Sequence, residues 1–180
     1  MEIELFKFEK ERYSRFDKDL MAIETACFHP NIQETTHCKK KLLTLEDAIV
    51  FLARDNKIVG ESYALPLNRY KKYPDAQKLI YYYEQRNMKA LYHVSLAVLP
   101  EYRNKGIGRK LLHSLLNEGR QRGYDVLVAH ARIGASLALH VAFGAKVMGS
   151  YPNWFKTGDT YCLCEIPLKN SRLGDMRPKG

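Results

Sequence analysis

The stretch YHVSLAVLPEYRNKGIGRKLLHSLL, Tyr92 to Leu116, decides the fold. Ala90 to Leu99 is apolar on both faces, as expected of a strand inside a mixed sheet. Pro100 turns the chain, and a basic glycine loop, Arg103 to Gly108, follows. A helix then begins near Gly106, with Ile107, Leu111, Leu112, Leu115 and Leu116 on one face and Arg109, Lys110, Asn117 and Arg120 on the other. Gly119 and Gly123 are expected to close it. This order presents unpaired helix-start N–H groups to an anion. Gly106 and Gly108 remove side chains where backbone must approach a ligand. Arg103, Lys105, Arg109 and Lys110 add positive charge, so the natural ligand is a pyrophosphate.

Working outward, Tyr124 to Ala129 is the next strand, which completes a β-α-β unit. A helix over 134–143 and strands at Lys146–Tyr151 and Thr160–Leu168 follow, then a polar tail. Upstream, Glu2 to Phe8 alternates as a first strand. Apolar residues at Phe16, Leu20, Ile23 and Cys27 predict a helix that His29-Pro30 ends. Asn31 to Leu43, with its run Lys39-Lys40-Lys41, is ambiguous and has room for a second helix. Ala48–Ala53 and Lys57–Leu65 form a hairpin about Asp55-Asn56, stopped by Pro66. Leu67 to Lys89 sets Tyr70, Tyr73, Tyr81, Tyr82 and Tyr83 among basic residues, with helical character over 75–88. It reads as a mobile aromatic lid on a substrate pocket or as a surface excursion covering the core. The sum is an α/β fold, a mixed sheet with helices on both faces.

The chain has 180 residues, of which 46% are hydrophobic and 27% charged, enough for one domain with a real core. No apolar run reaches the length of a membrane span. The N-terminus lacks the apolar centre of a secretion signal, so a cytoplasmic protein is expected. Four cysteines, Cys27, Cys38, Cys162 and Cys164, lack zinc-ligand spacing and read as free thiols, and no metal is expected. A net charge of +9 attracts anions in general. The densest basic cluster sits on the glycine loop, which disfavours nucleic acid as the partner.

Other glycine loops do not fit. A dinucleotide fingerprint needs a third glycine where Leu111 stands, and a Walker loop needs four residues between its glycines. Instead, Leu96-Ala97-Val98-Leu99-Pro100-Glu101-Tyr102-Arg103-Asn104-Lys105-Gly106-Ile107-Gly108 resembles the signature of the GCN5-related N-acetyltransferases, Arg/Gln-x-x-Gly-x-Gly/Ala after an apolar strand. The resemblance covers Tyr92 to Tyr151 at residue level, and Glu2 to Leu168 in order of elements. It implies a mostly antiparallel GNAT-like sheet of about seven strands, a single acetyltransferase domain over 1–168, and a tail over 169–180. It also implies acetyl-CoA as the acetyl donor. Arg103, Asn104, Lys105, Gly106, Ile107 and Gly108, with Arg109 beside them, would bind the pyrophosphate. The backbone of Leu96, Ala97 and Val98 would pair with the pantetheine arm.

Amine acetylation needs a neutral amine and a stabilised oxyanion, and holding two reactants together supplies most of the acceleration. The tyrosine that the family often uses as thiol acid maps to His140. The family's helix-start positions map to Ile133 and Ser136, and Ala145 replaces its phenylalanine. A histidine can donate a proton near neutral pH; equally, His140 can be a core residue satisfied by Ser136 or by a backbone carbonyl. Base candidates are Glu61 acting through water, Tyr92, and His93, which alternation turns to the opposite face unless a bulge intervenes. Each also has a plain reading: packing for Tyr92 and His93, a solvated carboxylate for Glu61. The acceptor is expected to be a small-molecule or peptide amine, without membrane association, and a homodimer is allowed. The alternative is a non-catalytic basic module that binds CoA or nucleic acid.

Overall fold

The computed structural model describes residues 3–169. Its seven strands are β1 (Glu4–Lys7), β2 (Ile49–Arg54), β3 (Ile58–Pro66), β4 (Ala90–Val98), β5 (Val126–Arg132), β6 (Lys146–Tyr151) and β7 (Tyr161–Pro167). They form one sheet in the order β1-β2-β3-β4-β5-β7-β6. Only β4 and β5 are parallel; every other neighbouring pair is antiparallel. The parallel pair needs a crossover connection, and the leucine helix supplies it. The mixed, mostly antiparallel sheet expected from the sequence is therefore what the chain adopts. The expected first strand begins at Glu4, and the polar tail from Ser171 lies outside the described residues.

The helices are α1 (Tyr13–Cys27), α2 (Thr36–Leu43), α3 (Ala76–Glu84), α4 (Ile107–Gln121) and α5 (Ala135–Ala142). The ambiguous segment after Pro30 thus holds a helix, started by the Thr35 hydroxyl accepting from the Cys38 amide at 3.2 Å. Side-chain alternation sorts the helices between two faces. On one face, Phe16, Leu20 and Ile23 of α1 pack with Leu52, Tyr63 and Leu65, while Ile80 and Tyr83 of α3 pack with Tyr92 and Val128. On the other, Leu112, Leu115 and Leu116 of α4 pack with Leu91, Leu127 and Phe143. Adjacent residues Leu91 and Tyr92 thus serve opposite layers.

Gly119 does not close the crossover helix. It lies inside α4, where a Cβ would sit 3.0 Å from Leu91 Cδ1 and 3.1 Å from Leu168 Cδ1. Close packing against the sheet explains it. The helix stops just beyond, and Gly123 takes the left-handed conformation, φ +76°, that lets the chain turn into β5.

Two irregularities in β4 make the site. Tyr63 faces Ser95 but Ala64 faces His93, so Val94 is a bulge with no partner on β3. On the other edge, pairing with β5 ends at His93 opposite Ala129. Beyond that point the parallel strands splay apart. The edge of β4 from Val94 to Val98 then faces a cleft instead of β5.

Candidate active site

The splay opens a cleft of about 480 Å³ that passes between β4 and β5 and reaches both sheet faces. The end beside α4 and α5 is lined by the glycine loop. Gly106 caps α4 with φ +75°, a conformation that favours glycine, and Asn104 is also left-handed at φ +61°. Such alternation curls successive N–H groups into an anion-binding nest. The amides of Ile107, Gly108 and Arg109 have no carbonyl a turn earlier within the helix. These features fit a pyrophosphate. Arg109 lies over the Phe143 ring, with its guanidinium carbon 5.5 Å from the centroid.

Two expected anion ligands are turned elsewhere. Arg103 Nε donates to the Val98 carbonyl at 3.0 Å, and Cys27 Sγ approaches the same oxygen at 3.5 Å. Arg103 therefore ties the loop to the end of β4, and the Val98 carbonyl has partners within the protein. Lys105 Nζ donates to the Glu101 carbonyl at 3.1 Å. Backbone, more than side-chain charge, shapes the nest.

His93 and His140 meet under the cleft. The bulge falls one residue after His93, so alternation holds there and turns its ring away from Tyr92, toward α5. His140 Nδ1 lies 2.8 Å from the Ser136 carbonyl, which can only accept, so that nitrogen carries the proton. Nε2 of His140 then accepts from His93 Nδ1 at 3.1 Å, and His93 Nε2 accepts from the Ser62 hydroxyl at 2.9 Å. Each ring nitrogen of His93 and His140 has a partner. His140 is 2% exposed and has no free nitrogen to offer a thiol. Its contacts match the plainer of the two readings, a core histidine satisfied by a backbone carbonyl.

Burial pushes the pKa of both rings down, His93 further because His140 sits beside it. Burial also brings His130 down to about 4. All three fold as neutral imidazoles. The unfolded chain binds protons near pH 6.5 that the native state refuses, so stability is full above that pH and falls as pH drops toward 4. Thermal unfolding should show a Tm falling steeply between these pH values. Replacing His93 and His140 together with glutamine should flatten part of that fall. A Tm level across this range would contradict the neutral assignment.

On the opposite face, the expected solvated carboxylate is absent. Glu61 is 0% exposed, and Lys39, also 0% exposed, bridges it at 2.7 Å to Glu24 at 2.6 Å. The Ser95 hydroxyl donates to Glu61 Oε1 at 2.7 Å, while Glu61 Oε2 has no partner among the described residues. Ser95 lines the cleft and Glu61 stands behind it. The bulge brings them together: without it, Ser95 would face the other layer with His93. Glu24 also lines the cleft, and the Glu34 amide donates to it at 2.8 Å. Burial and the neighbouring Glu61 raise the Glu24 pKa, against the pull of Lys39.

The tyrosine-rich segment forms a packed wall rather than a free lid. Tyr70, Tyr73 and Tyr92 lie nearly parallel, with centroids 4.5 Å apart for Tyr73–Tyr92 and 5.3 Å for Tyr70–Tyr92. The Tyr70 hydroxyl donates to Glu34, which also holds Lys72 at 3.1 Å. Tyr81 alone of the five turns fully outward, 62% exposed. Burial pushes the Tyr92 hydroxyl pKa well up, so this side chain is protonated and unsuited to act as a base.

Sequence reasoning passed over Glu24, Lys39, Ser95 and His130. Two of them carried a signal. Glu24 follows Leu20 at one helical turn, and Lys39 precedes Leu42 and Leu43 at helical spacing. Each thus sits as a charge on the buried stripe of its helix.

Comparison with known proteins agrees with this geometry. The family model "Acetyltransferase (GNAT) family" matches residues 18–145. The chain belongs to the GNAT acetyltransferase family. Among curated proteins it resembles L-amino acid N-acyltransferase MnaT of Escherichia coli K12, 42% identical over 60 residues, covering 32% of this chain and 35% of that protein. L-methionine sulfoximine/L-methionine sulfone acetyltransferase of Salmonella typhimurium is 40% identical over 60 residues, with the same coverage. The match thus spans about a third of the length of these relatives. The fold is shared with the ribosomal-protein-S18-alanine N-acetyltransferase of Escherichia coli, TM-score 0.69, 16% identity, covering 94% of this chain and 96% of that one. It is shared too with yncA of Salmonella typhimurium solved with its cofactor acetyl-CoA, TM-score 0.67, 20% identity, covering 98% and 100%.

Proposed function

We propose that the protein is an acetyl-CoA-dependent N-acetyltransferase, organised as one domain over 1–168, that acts on a small-molecule or peptide amine. The observation that carries this is the coincidence of three features in one cleft: the left-handed glycine nest, the splayed edge of β4, and a buried carboxylate behind Ser95. Family membership supports the same reaction.

When bound, acetyl-CoA supplies the acetyl group as a thioester and departs as the thiol. The nest from Arg103 to Gly108 binds its pyrophosphate, chiefly through backbone N–H groups, with Arg109 and Ser136 beside it. The unpaired edge of β4 at Leu96, Ala97 and Val98 orients the pantetheine arm as an added strand would. N–H groups next to the Val94 bulge donate to the thioester oxygen and are fixed there in advance, so no reorganisation is needed. The Ser95 oxygen accepts a proton from the incoming amine while its own proton passes to Glu61. Lys39 holds the Glu61 carboxylate in place. An ordinary thiol has a pKa of about 8.5, so the CoA sulfur leaves as thiolate without a dedicated acid and takes its proton from solvent, to which Glu61 returns the one it received. His93 and His140 support β4 and α5 from beneath, and Tyr92 walls the acceptor side.

Four free cysteines suit a reducing, cytoplasmic setting. No described helix is long and apolar enough to cross a membrane. The exposed apolar residues Val147 and Met148 on the edge strand β6, with Val141 on α5, would suit the face of a homodimer. Thiol release from acetyl-CoA, measured with L-amino acids, arylalkylamines, polyamines and short peptides, tests the activity. One equivalent of thiol per acetylated amine is expected with at least one class. Acetyl-CoA binding without release across the panel would favour the non-catalytic module instead.

A further inference from the structure

The acceptor half of the cleft contains two polar atoms that the fold leaves unanswered. The Tyr73 hydroxyl and His130 Nε2 are buried without a partner among the described residues. Tyr73 is 3% exposed, and its ring lies 5.4 Å from that of His130, centroid to centroid, so the two residues touch. Both line the cleft. His130 follows directly on Ala129, the last residue of β5 paired with β4, so it stands at the mouth of the splay. Its other nitrogen, Nδ1, is 2.9 Å from the Tyr92 hydroxyl, and its ring stacks on Trp154 at 4.3 Å. Rings dominate the surroundings: Tyr70, Tyr92, Tyr151 and Tyr161 complete the wall, and the Asp75 carboxylate stands near His130 and accepts from the Tyr151 hydroxyl. Arg132, the nearest cation along β5, is occupied by Asp159 at 3.3 Å.

A buried donor or acceptor without a partner is a standing penalty, and a ligand group that pairs with it gains that energy back. Here the two atoms belong to neighbouring rings within a largely aromatic surface. That pattern calls for a flat ring bearing a neutral polar group. A hydroxyl suits best, because it donates and accepts at once and serves either tautomer of His130. Among the described residues, a carboxylate or phosphate would meet no free cation in this wall.

We infer that the acceptor is a primary amine carried on an aromatic ring with a hydroxyl, the ring against the tyrosine wall and the hydroxyl between Tyr73 and His130. This deepens the acetyltransferase reading and rests on it for the amine. Pockets built to pair with a substrate hydroxyl discriminate strongly against the analogue that lacks it.

Trp154 is the only tryptophan in the chain and stacks on His130, so its fluorescence reports this seat without turnover. Titrating tyramine and phenethylamine, which differ by one hydroxyl, should give a Kd at least about tenfold lower for tyramine. The ratio of kcat/KM should follow. Tyr73→Phe and His130→Asn should each bring both ratios below about threefold, since each removes one of the two partners. A wild-type ratio near one, the result if ordered water already satisfies both atoms, overturns the inference. So does binding of neither amine, or a preference that survives both substitutions. Tyramine binding with the expected preference but no thiol release would overturn the acetyltransferase reading and leave the seat standing.

Discussion

Lys39→Met should lower the stability of the protein by about 3–5 kcal/mol at pH 7.5, measured by urea unfolding. Lys39 is wholly buried between Glu24 on α1 and Glu61 on β3. Two carboxylates and one ammonium leave a net negative charge inside, and burial, with Glu61 adding to it, raises the pKa of Glu24. Removing the ammonium leaves two carboxylates in a dry site, and they must take up protons or force α1 away from β3. The folded-state pKa of Glu24, raised by burial already in the wild type, then stands further above the unfolded one. Stability of the variant is accordingly retained at low pH and lost as pH rises above about 4.5, so the deficit should be smaller at pH 5 than at pH 7.5. Adding Glu24→Gln and Glu61→Gln should restore most of the loss, because a neutral site has no stranded charge. A Lys39→Met protein that unfolds with the wild type at pH 7.5 would mean the three groups do not form a buried network.

Glu61→Gln should reduce kcat by about 10²–10⁴-fold, the range of a general base, while leaving the fold intact. The amide has the shape of the carboxylate but cannot accept the proton that Ser95 passes back. The comparison that decides the matter is Glu24→Gln. Each substitution leaves Lys39 with one carboxylate, so each converts the buried trio into a neutral pair, and their stabilities should agree within about 1 kcal/mol. Only the first removes the group behind Ser95. Equal losses of kcat in the two variants would make the network purely structural. Ser95→Ala should resemble Glu61→Gln in kcat, with little effect on the affinity for acetyl-CoA.

The order of strands and helices was legible because it rests on local rules. Strand-forming residues on either side of Asp55-Asn56 marked β2 and β3, helical spacing marked α1 and α4, and Pro30 and Pro66 marked their limits. The glycine loop was legible for the same reason, since the left-handed turn at Gly106 is a property of one residue. The site's chemistry was harder to read, because it depends on pairs distant in sequence. Nothing near Glu61 indicates that Lys39 will cover it. Only the docking of α2 brings them together, although both sit at positions that periodicity marks as buried. The Val94 bulge is hidden for a different reason: an extra residue changes which side chains share a face without changing composition. It separates His93 and Ser95, which simple alternation puts side by side, and sends one to His140 and the other to Glu61. The tyrosines pointed equally to a lid and to a cover for the core, and whether they packed or swung free depended on Tyr92 and His130 beneath them.

The central claim is that the nest and the splayed strand hold acetyl-CoA, and calorimetric titration tests it most directly. At Gly106 a side chain would meet no protein atom within 4 Å, but the backbone is left-handed at φ +75°. Gly106→Val forces a β-branched residue into that conformation and disturbs the nest more than the core. Wild-type protein should bind one acetyl-CoA per chain, and Gly106→Val should bind at least about tenfold more weakly with a Tm within a few degrees of wild type. Absence of binding by the wild type, or equal affinity in the two proteins, would contradict the account.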